Sequence, residues 1–137
     1  NQDQAESSRQ QLIRFIEALP KLPTVIAGFS QGGIMSSSVG VTEPELVYGF
    51  ALLSGRMLRE IDSRIAAPER LKSVSAFIAH GQKDNVLPID WAHEADAWLK
   101  RIGVAHETHF YNMAHEIIAE ELADFSRWLT KTLSLSN

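Results

Sequence analysis

The stretch Thr24-Val25-Ile26-Ala27-Gly28-Phe29-Ser30-Gln31-Gly32-Gly33 decides the fold. An apolar run is interrupted at Gly28, a serine follows two residues later, and two more glycines come after it. Thr24–Phe29 reads as a strand apolar on both faces, of the kind buried in the middle of a parallel sheet. Gln31–Val39 reads as a helix, although its serines weaken the pattern. Between them, Gly28-Phe29-Ser30-Gln31-Gly32 matches G-x-S-x-G, a tight strand-to-helix turn that strains the serine backbone and exposes its oxygen above the sheet. The glycines on either side are expected to remove Cβ atoms that would clash. The backbone N–H of Gln31 then lies at a helix N-terminus, where negative charge is favoured. The plainer alternative is a glycine-rich turn with an idle serine.

The rest of the chain supplies the setting. Asp3–Leu19 reads as a helix, with Asp3 and Glu6 as a capping box and an apolar stripe of Leu12, Ile13, Phe15, Ile16 and Leu19. Pro20 and Pro23 end it. Val47–Leu53 and Ser73–Ala79 are further apolar strands, with a looped or partly helical stretch between them. Trp91, Ala95, Trp98, Leu99 and Ile102 form a helical stripe closed by Gly103. His106–Tyr111 is a fourth strand, and Ile118, Leu122, Phe125 and Leu129 mark a last amphipathic helix. Trp91, Trp98 and Trp128 are expected in the core. This alternation of strands and helices predicts an α/β layer fold with a parallel sheet, whose ligands bind beyond the carboxyl ends of the strands.

Composition narrows the function. In 137 residues, 13 Lys and Arg stand against 17 Asp and Glu, a net charge of −4. A weakly acidic chain without a basic run argues against nucleic acid and anionic membrane surfaces as partners. There is no cysteine, hence no disulfide framework and no thiol nucleophile. No apolar run approaches membrane-spanning length, and no signal segment is visible, so a cytoplasmic location is expected.

A serine hydroxyl needs a base to take its proton, and a histidine base needs a carboxylate to orient it. In a G-x-S-x-G fold the chain order is serine, acid, histidine. Of the five histidines, His93 falls on a helix surface, and His106 and His109 point to opposite faces of a strand, which argues against a shared metal. His80 follows the third strand and reads as a structural residue bonding the loop backbone. His115, in "NMAHEI", follows the fourth strand. Asp84, in "HGQKDNVLP", follows the third, whereas Asp62, Asp90, Asp96 and Asp124 read as solvated. Ser30, Asp84 and His115 therefore leave three strand ends in the required order.

Together, "GFSQGG", "ALLSG", "HGQKDNVLP" and "YNMAHEI" resemble, in this order, the carboxylesterase/phospholipase family of α/β-hydrolases, which includes bacterial carboxylesterases, lysophospholipases and acyl-protein thioesterases. The resemblance implies the α/β-hydrolase fold, a parallel sheet with helices on both faces. It implies Ser30 as nucleophile, Asp84 as acid, His115 as base and the Gln31 N–H as an oxyanion donor. Ser54 and Gly55 would line the site near the acyl chain, with Leu87 and Pro88 flanking the pocket behind Asp84. Ala27, Ala114 and Asn85 depart from the family pattern without removing a catalytic group. No metal or organic cofactor is implied, and the implied partner is an acyl ester or thioester, small or lipid-like.

Family members carry an N-terminal half with a second oxyanion donor ahead of such a segment, and nothing before Ser30 resembles it. Residues 1–137 are thus expected to be the C-terminal, four-stranded portion of one α/β-hydrolase domain, with an N-terminal portion of the same protein as a partner. The expected function is hydrolysis of esters or thioesters through an acyl-enzyme on Ser30. Acyl transfer to another acceptor, and a silent or binding half that needs its N-terminal partner, are the alternatives.

Overall fold

The computed structural model describes residues 2–134. The chain opens with α1 (Gln2–Ala18). This helix is already running at Gln2, so Asp3 lies in its first turn rather than at the cap. Glu6 binds Arg9 at 2.7 Å instead of closing a capping box, and it also pairs with Arg64. The helix buries Ile13 and Ile16 but leaves Phe15 and Leu19 exposed. Its inward face is thus narrower than the apolar stripe suggests.

Four strands follow: β1 (Val25–Phe29), β2 (Gly49–Leu53), β3 (Ser75–Gly81) and β4 (Ala105–Tyr111). They form one parallel sheet in the order β1-β2-β3-β4. Parallel neighbours need crossovers, supplied here by α2 (Gln31–Thr42) with a 3-10 turn after it, by a second 3-10 turn (Arg59–Arg64) with the short α3 (Pro68–Leu71), and by α4 (Asp90–Ile102). Because the order advances in one direction, right-handed crossovers all fall on one face. The last helix, α5 (Ala119–Ser134), covers the other.

The period-two alternation of the strands divides the core accordingly. Phe50, Leu52, Ala76 and Ile78 face α1, α2 and α4, packing with Val39, Val41, Ala95 and Leu99. Ala51, Leu53, Phe77 and Ala79 face α5, packing with Trp128 and Phe125. Trp98 and Trp128 are buried as expected, whereas Trp91 is only half-buried. Leu122, also expected inward, is 50% exposed. Gly103 ends α4 in the left-handed conformation at φ 82°, its N–H returning to Leu99 and Lys100.

β2 is buried along its whole length, but β1 is not: Ala27 is exposed and its neighbours are half-buried. Among the described residues β1 pairs only with β2, which leaves its other edge without a strand partner among them. Among the described residues no helix is long and apolar enough to cross a membrane.

Candidate active site

The parallel register sets the carboxyl ends of the strands side by side: Phe29 pairs with Leu53, and Leu53 with Ala79. Ser30 follows β1 directly. Its N–H continues the ladder to the Leu53 carbonyl at 2.8 Å, and its own carbonyl accepts from Gly33 and Ile34 as α2 begins. The turn forces Ser30 to φ 58° and ψ −115°, a region that a residue with a Cβ rarely adopts. Ser30 stands at the N-cap of α2, yet its hydroxyl makes no capping bond. It points instead to His115, with Oγ 3.1 Å from Nε2.

The two flanking glycines are not equivalent. A Cβ on Gly28 would stand 2.1 Å from the Gly32 carbonyl carbon, so the strand and helix approach too closely for any side chain there. A Cβ on Gly32 would meet nothing within 4 Å. The expected clash therefore applies at Gly28 alone.

His115 lies in the loop between β4 and α5, tilted against the Phe29 ring at 4.8 Å. Its Nδ1 is 2.7 Å from Asp84 Oδ2. An ionised carboxylate can only accept, so Nδ1 carries the ring proton and Nε2 is left to accept from the Ser30 hydroxyl. The Asp84 side chain has no exposed surface. Burial pushes its pKa up, but hydrogen bonds from the Leu87 N–H, from His115 and from the Val86 N–H together hold it below the usual value. Those N–H groups reach Oδ1 at 2.7 Å and 2.9 Å.

The acid loop is tied down in turn. His80, buried at the end of β3, donates from Nε2 to the Leu87 carbonyl at 2.6 Å, the structural role expected of it. Gly81 was not singled out in the sequence, although a Cβ there would lie 2.3 Å from the Met113 carbonyl oxygen. That close approach sets the histidine loop against the acid loop.

Ser54 and Gly55 also lie beside the elbow. Ser54 is fully buried, sits at φ 54°, and its hydroxyl has no hydrogen-bond partner. A Cβ on Gly55 would be 3.0 Å from the Ser30 carbonyl oxygen. Leu87 is half-buried in the acid loop and Pro88 is exposed. A groove of about 450 Å³ is lined by Gln31, Ile34, Met35, Arg56, Leu58 and Glu60 and, from α1, by Gln4, Ala5 and Ser8. Ser54, Gly55, Leu87 and Pro88 are not part of that groove. As the first residue of α2, Gln31 has an N–H without an intrahelical acceptor.

Two of the remaining aspartates are bonded to side chains of β4. Asp96 binds His106 at 2.9 Å and Thr108 at 2.7 Å, and Asp124 accepts from Tyr111 at 2.7 Å. These two aspartates, expected in solvent, instead fasten α4 and α5 to the polar side chains of β4. His106 and His109 do point to opposite faces, toward Asp96 and Phe77 respectively. Among the described residues no group of three or more His, Cys, Asp or Glu could hold a metal.

At the ends of β1, β3 and β4, then, a serine between a strand and a helix is hydrogen-bonded to a histidine that is itself bonded to a buried aspartate. The family can now be stated. Residues 2–133 match the phospholipase/carboxylesterase family, and the chain belongs to it. It is 30% identical over 115 residues to acyl-protein thioesterase 1 of Kluyveromyces lactis, an alignment covering 81% of this chain and 50% of that protein. Against carboxylesterase SOBER1 of Arabidopsis thaliana the identity is 28% over 113 residues, covering 82% and 50%. The chain thus spans about half the length of the curated relatives it matches. The crystal structure of the Bacillus cereus carboxylesterase superposes with a TM-score of 0.84 at 19% identity, covering 96% of this chain and 63% of that one. That likeness is one of fold, and the fold is the α/β-hydrolase fold.

Proposed function

We propose that this chain carries the reacting centre of a serine hydrolase that cleaves carboxylic esters or thioesters. The observation that carries the reading is the continuous relay from Ser30 Oγ through His115 to Asp84, at 3.1 Å and 2.7 Å. In this reading His115 Nε2 takes the hydroxyl proton as Ser30 Oγ attacks the substrate carbonyl. The carbonyl oxygen becomes an oxyanion, received by the Gln31 N–H at the start of α2. His115 then gives its proton to the departing alcohol or thiol, leaving an acyl group on Ser30. Water, deprotonated by His115, attacks that acyl-enzyme and releases the acid. Asp84 stays ionised throughout and stabilises the imidazolium. Each step uses these side chains, one backbone N–H and water.

A second reading is favoured, among the described residues, by the one-sided pairing of β1 and by an oxyanion donor, the Gln31 N–H, without a second beside it. In it, residues 1–137 act only when a further segment of the same protein pairs with the free edge of β1 and adds a second donor. One missing donor lowers the rate by about 100- to 1,000-fold.

Ser30→Ala tests the first reading. It is expected to abolish ester and thioester turnover while leaving the thermal unfolding transition in place. Turnover retained by the variant refutes the assignment. Turnover that appears only when an N-terminal polypeptide is added supports the second reading.

A further inference from the structure

Arg56 stands out from the other cations near the site. It follows Gly55, the residue packed against the Ser30 carbonyl, and it lines the same groove as Gln31, the residue after Ser30. It is half-buried, and its guanidinium sits 5.0 Å from the centre of the Trp91 ring. That stacking holds the head group still. The neighbouring Arg59 also lies over Trp91, but both its bonds go to Glu94, at 2.8 Å and 2.9 Å. Glu94 feels the Arg56 charge as well, yet both of its oxygens are taken.

Among the described residues Arg56 makes no ion pair and no hydrogen bond to a carboxylate, unlike Arg9, Arg59, Arg64, Arg70 and Arg127. Glu60, the acid on the groove wall, is exposed. A planar fork of N–H donors, partly removed from water and without its anion, is matched to two oxygens of a carboxylate or phosphate. Ile34, Met35 and Leu58 give the groove between Gln31 and Arg56 an apolar wall, suited to a short carbon chain between a reacting carbonyl and that anion.

We propose that this groove receives the substrate and that Arg56 is a specificity-determining residue, selecting esters or thioesters that carry an anionic group. The proposal rests on the hydrolase reading above. Carboxylate and phosphate share the required chemistry, and paired substrates separate them. Mono-para-nitrophenyl glutarate is compared with para-nitrophenyl valerate, in which a methyl group takes the place of the terminal carboxylate. Monobutyrylglycerol phosphate is compared with monobutyrylglycerol.

The readout is the anionic-to-neutral ratio of kcat/KM in the wild type, Arg56→Gln and Arg56→Lys. The fraction of folded enzyme cancels in that ratio. In at least one pair Arg56→Gln is expected to lower it by about 10- to 100-fold, with partial recovery in Arg56→Lys. Raising the ionic strength should lower the wild-type ratio as the charge is screened. Unchanged ratios in Arg56→Gln for both pairs overturn the proposal. If the wild type turns over none of the four esters, the hydrolase reading fails, and titration calorimetry with glutarate decides the anion site separately. Saturable binding lost in Arg56→Gln supports the site; absent or equal binding overturns it.

Discussion

Glu121 provides a stability prediction with a definite sign. It lies in the first turn of α5, on the face that also carries Phe125 and Trp128, and has no exposed surface. Neither carboxyl oxygen has a hydrogen-bond partner. Burial pushes its pKa from 4.5 up to about 7, opposed only in part by the Ile118 backbone N–H, which stands near the carboxyl without meeting hydrogen-bond geometry. The folded protein therefore holds this proton more tightly than the unfolded chain does. The resulting stability is fully present below the unfolded value of 4.5 and is lost as pH rises through about 7. A rise of that size corresponds to about 3 kcal/mol. Glu121→Gln keeps the shape and cannot ionise. It should match the wild type at about pH 4 and exceed it by up to about 3 kcal/mol at about pH 8. Urea unfolding across that range, with equal slopes in both proteins, measures the difference. Parallel stability curves, or a variant weaker than the wild type at high pH, would mean that the carboxylate is ionised and paired in the fold, and would refute the reasoning.

Three further substitutions probe the elbow and the acid. Gly28→Ala places a methyl 2.1 Å from backbone that cannot yield without moving the start of α2; both melting temperature and ester turnover should fall, and wild-type values for both would contradict the close approach. Gly32→Ala has room for its methyl and should stabilise α2 by up to about 1 kcal/mol, which thermal unfolding reads. Asp84→Asn should lower kcat/KM by about 1,000- to 10,000-fold, because Asn no longer holds the His115 ring in the productive tautomer. A loss under about tenfold would remove Asp84 from the proposed mechanism. Since Asp84 is held below its ordinary value, its contribution to stability is present above the unfolded Asp range and is lost as pH falls through the lower folded value. Asp84→Asn should remove that part of the acid dependence.

Much of the architecture was legible because it is local. The runs Val25–Phe29 and Gly49–Leu53 are short, apolar and bounded by turn residues, and Gly103 falls where a left-handed cap is needed. Ser30, Asp84 and His115 could be placed at three strand ends because each follows a readable strand, β1, β3 and β4, within a few residues. Other features depend on partners distant in sequence. Gly81 is required by the carbonyls of Met113 and Ala114, about thirty residues on. Arg56 meets Trp91 only through the packing of the loop after β2 against α4. Periodicity identified the inward sides of α1 and α5 but not how wide a band the sheet covers, so Phe15 and Leu122 fall outside it. The apolar sequence of β1 describes a strand flanked on both edges, whereas β2 alone pairs with it among the described residues.

The central claim is that Ser30 is an activated nucleophile, and covalent labelling tests it most directly. The intact protein is treated with a fluorophosphonate, weighed by mass spectrometry and digested to locate the adduct. The account predicts one adduct per chain, on Ser30, absent in Ser30→Ala and formed far more slowly in His115→Ala. No adduct, an adduct on another residue, or labelling unaffected by loss of His115 would contradict it.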